Sequence, residues 1–152
     1  MNNYYNPVEV KKTKNWIVEL KNSIIQLNIN SPLIVTSKGN RQRLKLDTIF
    51  SPQSIYSNIS SNPNFEDCFN AINFCQKNIF DGVIAIGGGS TMDLAKVVIS
   101  HLCLEKSNIN ELIEYKGEFP KTIPSIFLPT THGTASEVTM WGTVWDMKQK
   151  KK

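Results

Sequence analysis

Residues 80–100, FDGVIAIGGGSTMDLAKVVIS, constrain the fold more than any other stretch of the chain. Residues 82–86 form a near-continuous apolar run, the pattern of a parallel strand covered on both faces. Three glycines follow, and then Met92, Ala95, Ile99 and Leu102 recur along one helical face. A strand that passes through glycine into a helix is the first half of a βαβ unit. The rest of the sequence must therefore supply parallel neighbours for the strand and helices for both faces of the sheet.

The flanking segments read accordingly. Residues 15–28 place Trp16, Leu20, Ile24 and Leu27 on one helical face, and 31–39 make a short β-branched run opened by Pro32 and closed by Gly39. A second helix is expected over 41–50 and a weaker strand over 53–59. Residues 62–80 return to helical spacing through Phe65, Phe69, Ile72, Cys75 and Ile79, with Asn64 as N-cap and two acids in the first turn. Residues 122–129 form another apolar run, and 137–147 suit an extended strand or hairpin. The expected class is α/β, a doubly wound, mainly parallel Rossmann-like sheet, with one domain over residues 1–147. Residues 148–152 are then a basic tail or the start of a further domain.

In such a sheet, ligands bind beyond the carboxyl ends of the strands, where Gly87, Gly88 and Gly89 lie. Backbone without side chains lets an anion approach, and the first amides of the next helix point outward with its positive dipole end. Gly88→Val would obstruct that approach and is expected to impose a disfavoured backbone. GxGxxG would need glycine at Met92, and a Walker loop would need a Gly-Lys pair, so neither standard fingerprint is present. The alternative is a purely structural turn with Ser90 as N-cap and Asp93 as its capping partner. Lys96, taken alone, reads as a solvated lysine.

A second constellation runs over 127–146, FLPTTHGTASEVTMWGTVWD, where Thr130, Thr131, Thr134 and Ser136 crowd around Gly133. These hydroxyls suit ribose, amide or phosphate groups; the alternative is an ordinary polar turn. His132 alone is a weak signal. Cys68, Cys75 and Cys103 form no CxxC pair and read as small buried hydrophobes. Four of the 17 basic residues are Lys148, Lys150, Lys151 and Lys152, which leaves 13 of each sign elsewhere and argues against a nucleic-acid face. No stretch approaches the roughly 20 apolar residues of a membrane span and no signal-peptide pattern opens the chain, so no membrane partner and a cytoplasmic location are expected.

Together, GGGSTMDLAK (87–96) and PTTHGTASE (129–137) resemble the paired motifs GGGSxxDxAK and PTTxGTGSE of the iron-containing (group III) alcohol dehydrogenase family. The likeness extends over nearly the whole chain, through LIVTS and the SNPN turn. The opening YYNPVEV and the segment TMWGTVWD resemble the phosphonoacetaldehyde reductase branch. The resemblance implies a dehydroquinate-synthase-like nucleotide domain of an oxidoreductase that moves a hydride between a nicotinamide cofactor, NADP or NAD, and a small alcohol/aldehyde pair. By the same resemblance Gly87, Gly88, Gly89 and Ser90 cradle the pyrophosphate, Asp93 and Asn62 face the cofactor, and Thr130, Thr131 and Thr134 lie around adenosine and ribose. Lys151 or Lys152 corresponds to a lysine near the phosphates.

The chain departs from the pattern at His132, at Ala135 and at Ser37, which replaces an acid often found after the early strand. Ser37, with Lys38, Arg41 and Arg43 close behind, implies that the 2′-phosphate of NADP is accepted. The family's divalent iron or zinc is held by an Asp and three His of a following helical domain that this sequence does not include. The expectation is therefore the cofactor-binding half of a metal-dependent enzyme, without catalytic or metal-ligating residues of its own, inactive alone and prone to homo-oligomerise. A stand-alone nucleotide-binding module and a dehydroquinate-synthase-like fragment are the alternatives.

Overall fold

The computed structural model describes residues 8–147. Pro7 and the residues before it, and the lysine tail from Lys148, lie outside them, as do the readings placed on Tyr4, Tyr5, Lys151 and Lys152.

Four parallel strands form one sheet: β1 (Pro32–Thr36), β2 (Ile55–Tyr56), β3 (Gly82–Gly87) and β4 (Ser125–Pro129), in the order β2-β1-β3-β4. Side chains of a strand alternate between faces, and the core divides the same way. Leu33, Val35, Val83 and Ala85 pack on one side with α3 (Phe65–Cys75) and α4 (Gly89–Leu104), while Ile34, Ile84 and Ile86 pack on the other with Leu20 of α1 (Trp16–Gln26) and Leu46. Every residue of β3 is buried, which is why its sequence shows no alternation. The doubly wound α/β expectation is what the molecule shows. No helix among the described residues is long and apolar enough to cross a membrane.

The elements start and stop for local reasons. The Asn64 side chain accepts from the amides of Glu66 and Asp67, and Asp67 returns a bond to the Asn64 amide, so α3 opens with a complete capping box. Its buried face is Cys68, Ala71, Ile72 and Cys75, whereas Phe69 and Ile79 are exposed, contrary to the expected stripe. The predicted helix over 41–50 is shifted. Ser37 caps α2 (Lys38–Arg43), and the chain then turns through left-handed Lys45 into a 3-10 turn at Leu46–Thr48 that sinks Leu46 fully into the core. The expected strand or hairpin over 137–147 is instead a 3-10 turn, Ser136–Val138, followed by irregular chain that forms a bridge from Trp145 to Asn64.

Cys68, Cys75 and Cys103 are free and buried, and burial pushes the Cys68 and Cys75 thiols up to about 12. At the amino end of the sheet Asp81 accepts from the amides of Asn30 and Ser31 at 2.9 and 2.8 Å. Burial works against its charge, but these bonds outweigh it and hold the carboxyl below its ordinary range.

Candidate functional site

The sheet register brings the site together. Thr36 pairs with Ile86 and Ile86 with Leu128, so β1, β3 and β4 end side by side, at Ser37, at the glycine turn and at Thr130. The chain leaves β1 toward one edge of the sheet and β3 toward the other, so the gap between them is the topological switch point. Buried Thr36 donates its hydroxyl to the Ile86 carbonyl at 2.7 Å, and the Thr130 amide donates to the Gly87 carbonyl at 2.8 Å.

Two clefts open at this edge, of about 590 and about 480 Å³, and they share Gly89 and Ser90. Ser37, Asn40, Arg43, Gly88, Thr130 and Thr131 line the first. Asn62, Asp93, Thr134, Ser136, Trp141 and Trp145 line the second. Of the ten residues singled out by sequence, nine therefore line one cleft or the other, and Thr134 is parted from Thr130 and Thr131. Gly87 lines neither: it is buried at the end of β3, and a Cβ there would run into the Thr91 side chain.

The glycine turn differs in detail from the expectation. Gly88, not Ser90, is the N-cap of α4, with φ −90°, so no left-handed residue is needed there. Ser90 lies inside the helix and its hydroxyl accepts from the amide of Asn62 at 3.1 Å, Asn62 itself being left-handed. The capping-box alternative is thus overturned, because Asp93 accepts from the Ser136 hydroxyl at 2.8 Å instead. Without a capping side chain, the amides of Gly89 and Ser90, the two residues that both clefts share, have no intrahelical acceptor. A Cβ on Gly88 would stand 2.9 Å from the Thr131 hydroxyl and one on Gly89 3.0 Å from the Thr134 methyl. The glycines therefore also let the threonine loop close over the turn.

Two residues, Asn40 and Lys96, were not legible as site residues, and the three cations read from sequence divide in the structure. Asn40 bridges from α2 to the Thr130 hydroxyl at 3.3 Å; its only signal was the spacing of three from Ser37. Lys96 is not a solvated lysine: its ammonium donates to the hydroxyls of Ser136 and Thr139, both at 3.0 Å, and to the Trp141 carbonyl. Burial lowers its pKa, while Asp93 and Glu137 pull it back. Of the three cations near the first cleft, Arg41 is engaged by Asp47, its Nε donating at 2.9 Å, and only Arg43 lines the cleft, donating to Asn40 Oδ1 at 2.7 Å. Among the described residues no group of three or more His, Cys, Asp and Glu is placed to hold a metal ion.

Iron-containing alcohol dehydrogenase is the family whose pattern matches this chain, over residues 7–152. The chain belongs to that family. A long-chain primary alcohol dehydrogenase of Thermoanaerobacter ethanolicus is 32% identical over 143 residues, covering 89% of this chain and 35% of that protein. Among solved structures, sulfoacetaldehyde reductase from Bifidobacterium kashiwanohense, in complex with NAD+, superposes with a TM-score of 0.82 at 29% identity. It covers 99% of this chain and 41% of that one. An iron-containing alcohol dehydrogenase from Thermotoga maritima gives 0.76 at 27% identity, over 96% and 42%. The chain thus spans well under half the length of these relatives, and within the iron-containing alcohol dehydrogenase family it corresponds to the N-terminal, α/β part.

Proposed function

We propose that the chain is the cofactor-binding half of a metal-dependent NAD(P) alcohol dehydrogenase or aldehyde reductase. The observation that carries this is the uncapped amino end of the 16-residue helix α4, set where two clefts meet. The pyrophosphate lies over the amides of Gly89 and Ser90, favoured by the helix dipole. The adenosine half enters the cleft of Ser37, Asn40, Arg43, Thr130 and Thr131, and the nicotinamide half the cleft of Asn62, Asp93 and Thr134. The described residues do not fit the family's metal, so no chemical step is placed here. The chain alone binds cofactor without turning over an alcohol or aldehyde.

The first cleft is read further as accepting NADP. No carboxylate lines it among the described residues, and Arg43 lies within it. An acid in place of Ser37 would bond the ribose hydroxyls of NAD and repel a 2′-phosphate. Arg43 can meet that phosphate with a charge-assisted bond. The difference is about 1.5–3 kcal/mol, roughly ten- to a hundredfold in affinity.

Fluorescence titration of the purified chain with NADPH and NADH tests both statements. Binding of either cofactor supports the first, and tighter NADPH binding supports the second. Ser37→Asp keeps the N-cap of α2, since Asp caps as well as Ser, and is expected to move the preference toward NADH. A chain that binds neither cofactor disproves the first reading, and an unchanged preference in Ser37→Asp disproves the second.

A further inference from the structure

Residues 136–145 cross the second cleft without belonging to a strand or an α-helix, so something other than a backbone ladder must hold them. One end is fixed where the Trp145 amide donates to the Pro63 carbonyl at 2.9 Å, beside the start of α3. At the other end, Lys96 reaches from the second turn of α4 and spends all three ammonium protons on this segment, at Ser136, Thr139 and Trp141. The Ser136 hydroxyl, itself buried, accepts from Lys96 and donates to Asp93, so the lysine also orients the acid that lines the cleft. Between the anchors the chain presses close to the helix: a Cβ on Gly142 would stand 3.2 Å from the Asp93 carbonyl oxygen. Trp141, 79% exposed, is carried at the cleft by this clamp and not by packing of its ring.

From this we infer that Lys96 is a positioning residue. By binding three groups of residues 136–141 to α4, it sets the wall of the second cleft and the orientation of Asp93. Resting on the nucleotide reading above, the inference is that it governs the fit of the nicotinamide half while leaving the adenosine diphosphate half untouched. An ammonium suits this task because its three donors diverge from one point, and its charge is balanced by Asp93 and Glu137 nearby.

The test separates the two halves of the cofactor by titrating the chain with ADP and with NADPH. ADP spans the first cleft and the Gly89–Ser90 junction, and NADPH adds the 2′-phosphate, in the first cleft and away from Lys96, and the nicotinamide half in the second. In Lys96→Met, ADP affinity is expected to stay within about twofold of the parent and NADPH affinity to fall about tenfold, the loss of one to two hydrogen-bonded contacts. Amide hydrogen exchange over 136–142 should quicken in parallel. Thr139→Val removes one acceptor and leaves α4 intact; it should show a smaller loss of the same kind, and it decides the matter if Lys96→Met does not fold. Equal losses for ADP and NADPH, or no loss for either, overturn the role of Lys96. A parent chain that binds neither ligand overturns the nucleotide reading, and this inference with it.

Discussion

The two ends of the one sheet are built to opposite purposes. At the amino end, polar groups are consumed by the fold: both oxygens of Asp81 accept backbone amides, the Ser31 hydroxyl donates to the Ile79 carbonyl at 2.8 Å, and Gly82 sits hard against Ile29. At the carboxyl end, hydroxyls, amides and Arg43 line two clefts, and among the described residues no side chain caps the leading amides of α4. Both ends are rich in Ser, Thr, Asn and Gly, so composition does not separate them. The leading amides of α4 do: the side chains of Ser90, Thr130, Ser136 and Arg43 have partners inside the molecule and so also serve the fold, whereas these amides at the clefts are left for a ligand.

That contrast is most easily broken at the glycine turn. Gly89→Val should cost about a hundredfold or more in dinucleotide affinity, the worth of about two charge-assisted bonds, because it blocks one of the two residues common to both clefts. Its melting temperature should fall much less in proportion, since the new side chain meets first the methyl of exposed Thr134. The Cys68 and Cys75 thiols report the fold independently: buried and hard to ionise, they should stay as unreactive to alkylation at pH 8 as in the parent. If affinity and thiol protection are lost together, the turn serves the fold and not a ligand.

The mirror experiment is Asp81→Ala at the amino end. It removes both acceptors and should cost about 1–3 kcal/mol, a fall of several degrees in melting temperature, with dinucleotide affinity unchanged. Asp81 has a folded pKa below its unfolded value. Its contribution is therefore complete above roughly pH 4 and is lost as pH falls toward the folded value. The acid limb of stability against pH should be flatter in Asp81→Ala than in the parent. Equal slopes would show that the carboxylate does not close this end.

The smallest effect sharpens the comparison. Asn40→Ala removes a bridge between α2 and Thr130 at the carboxyl end, where it should cost about 0.5–1 kcal/mol in binding, or two- to fivefold in affinity, and little in melting temperature. A larger loss of stability than of affinity would place Asn40 with the closed end in kind, though not in location.

What the sequence made legible divides along similar lines. Strands β1 and β3, the helices over α3 and α4 and the Asn64 cap depend on neighbours a few residues away, and spacing reported them. The glycine turn was legible in the same way, from its place between a strand and a helix. The segment after Arg43 was misread because Leu46 is drawn into the core by its surroundings and not by helical periodicity, and Phe69 and Ile79 show the converse, apolar positions left outside. Lys96 and residues 137–147 were misread for one reason: their partners lie distant in sequence, Lys96 from Ser136 and Thr139 and Trp145 from Pro63, and no local pattern encodes a hydrogen bond across such distances.

The strand order carries a consequence for how the chain comes to fold. β1 is first in sequence but inner in the sheet, and β2, with two paired residues, is too short to hold it. Its principal partner, β3, is synthesised on the order of seconds later at ordinary rates of translation. Until then Leu33, Ile34 and Val35 have no sheet to enter, and closing the long loop between β1 and β3 is the entropic hurdle that commits the chain. The glycine turn follows β3 directly, but both clefts also need the threonine loop, so they are completed only when β4 joins β3.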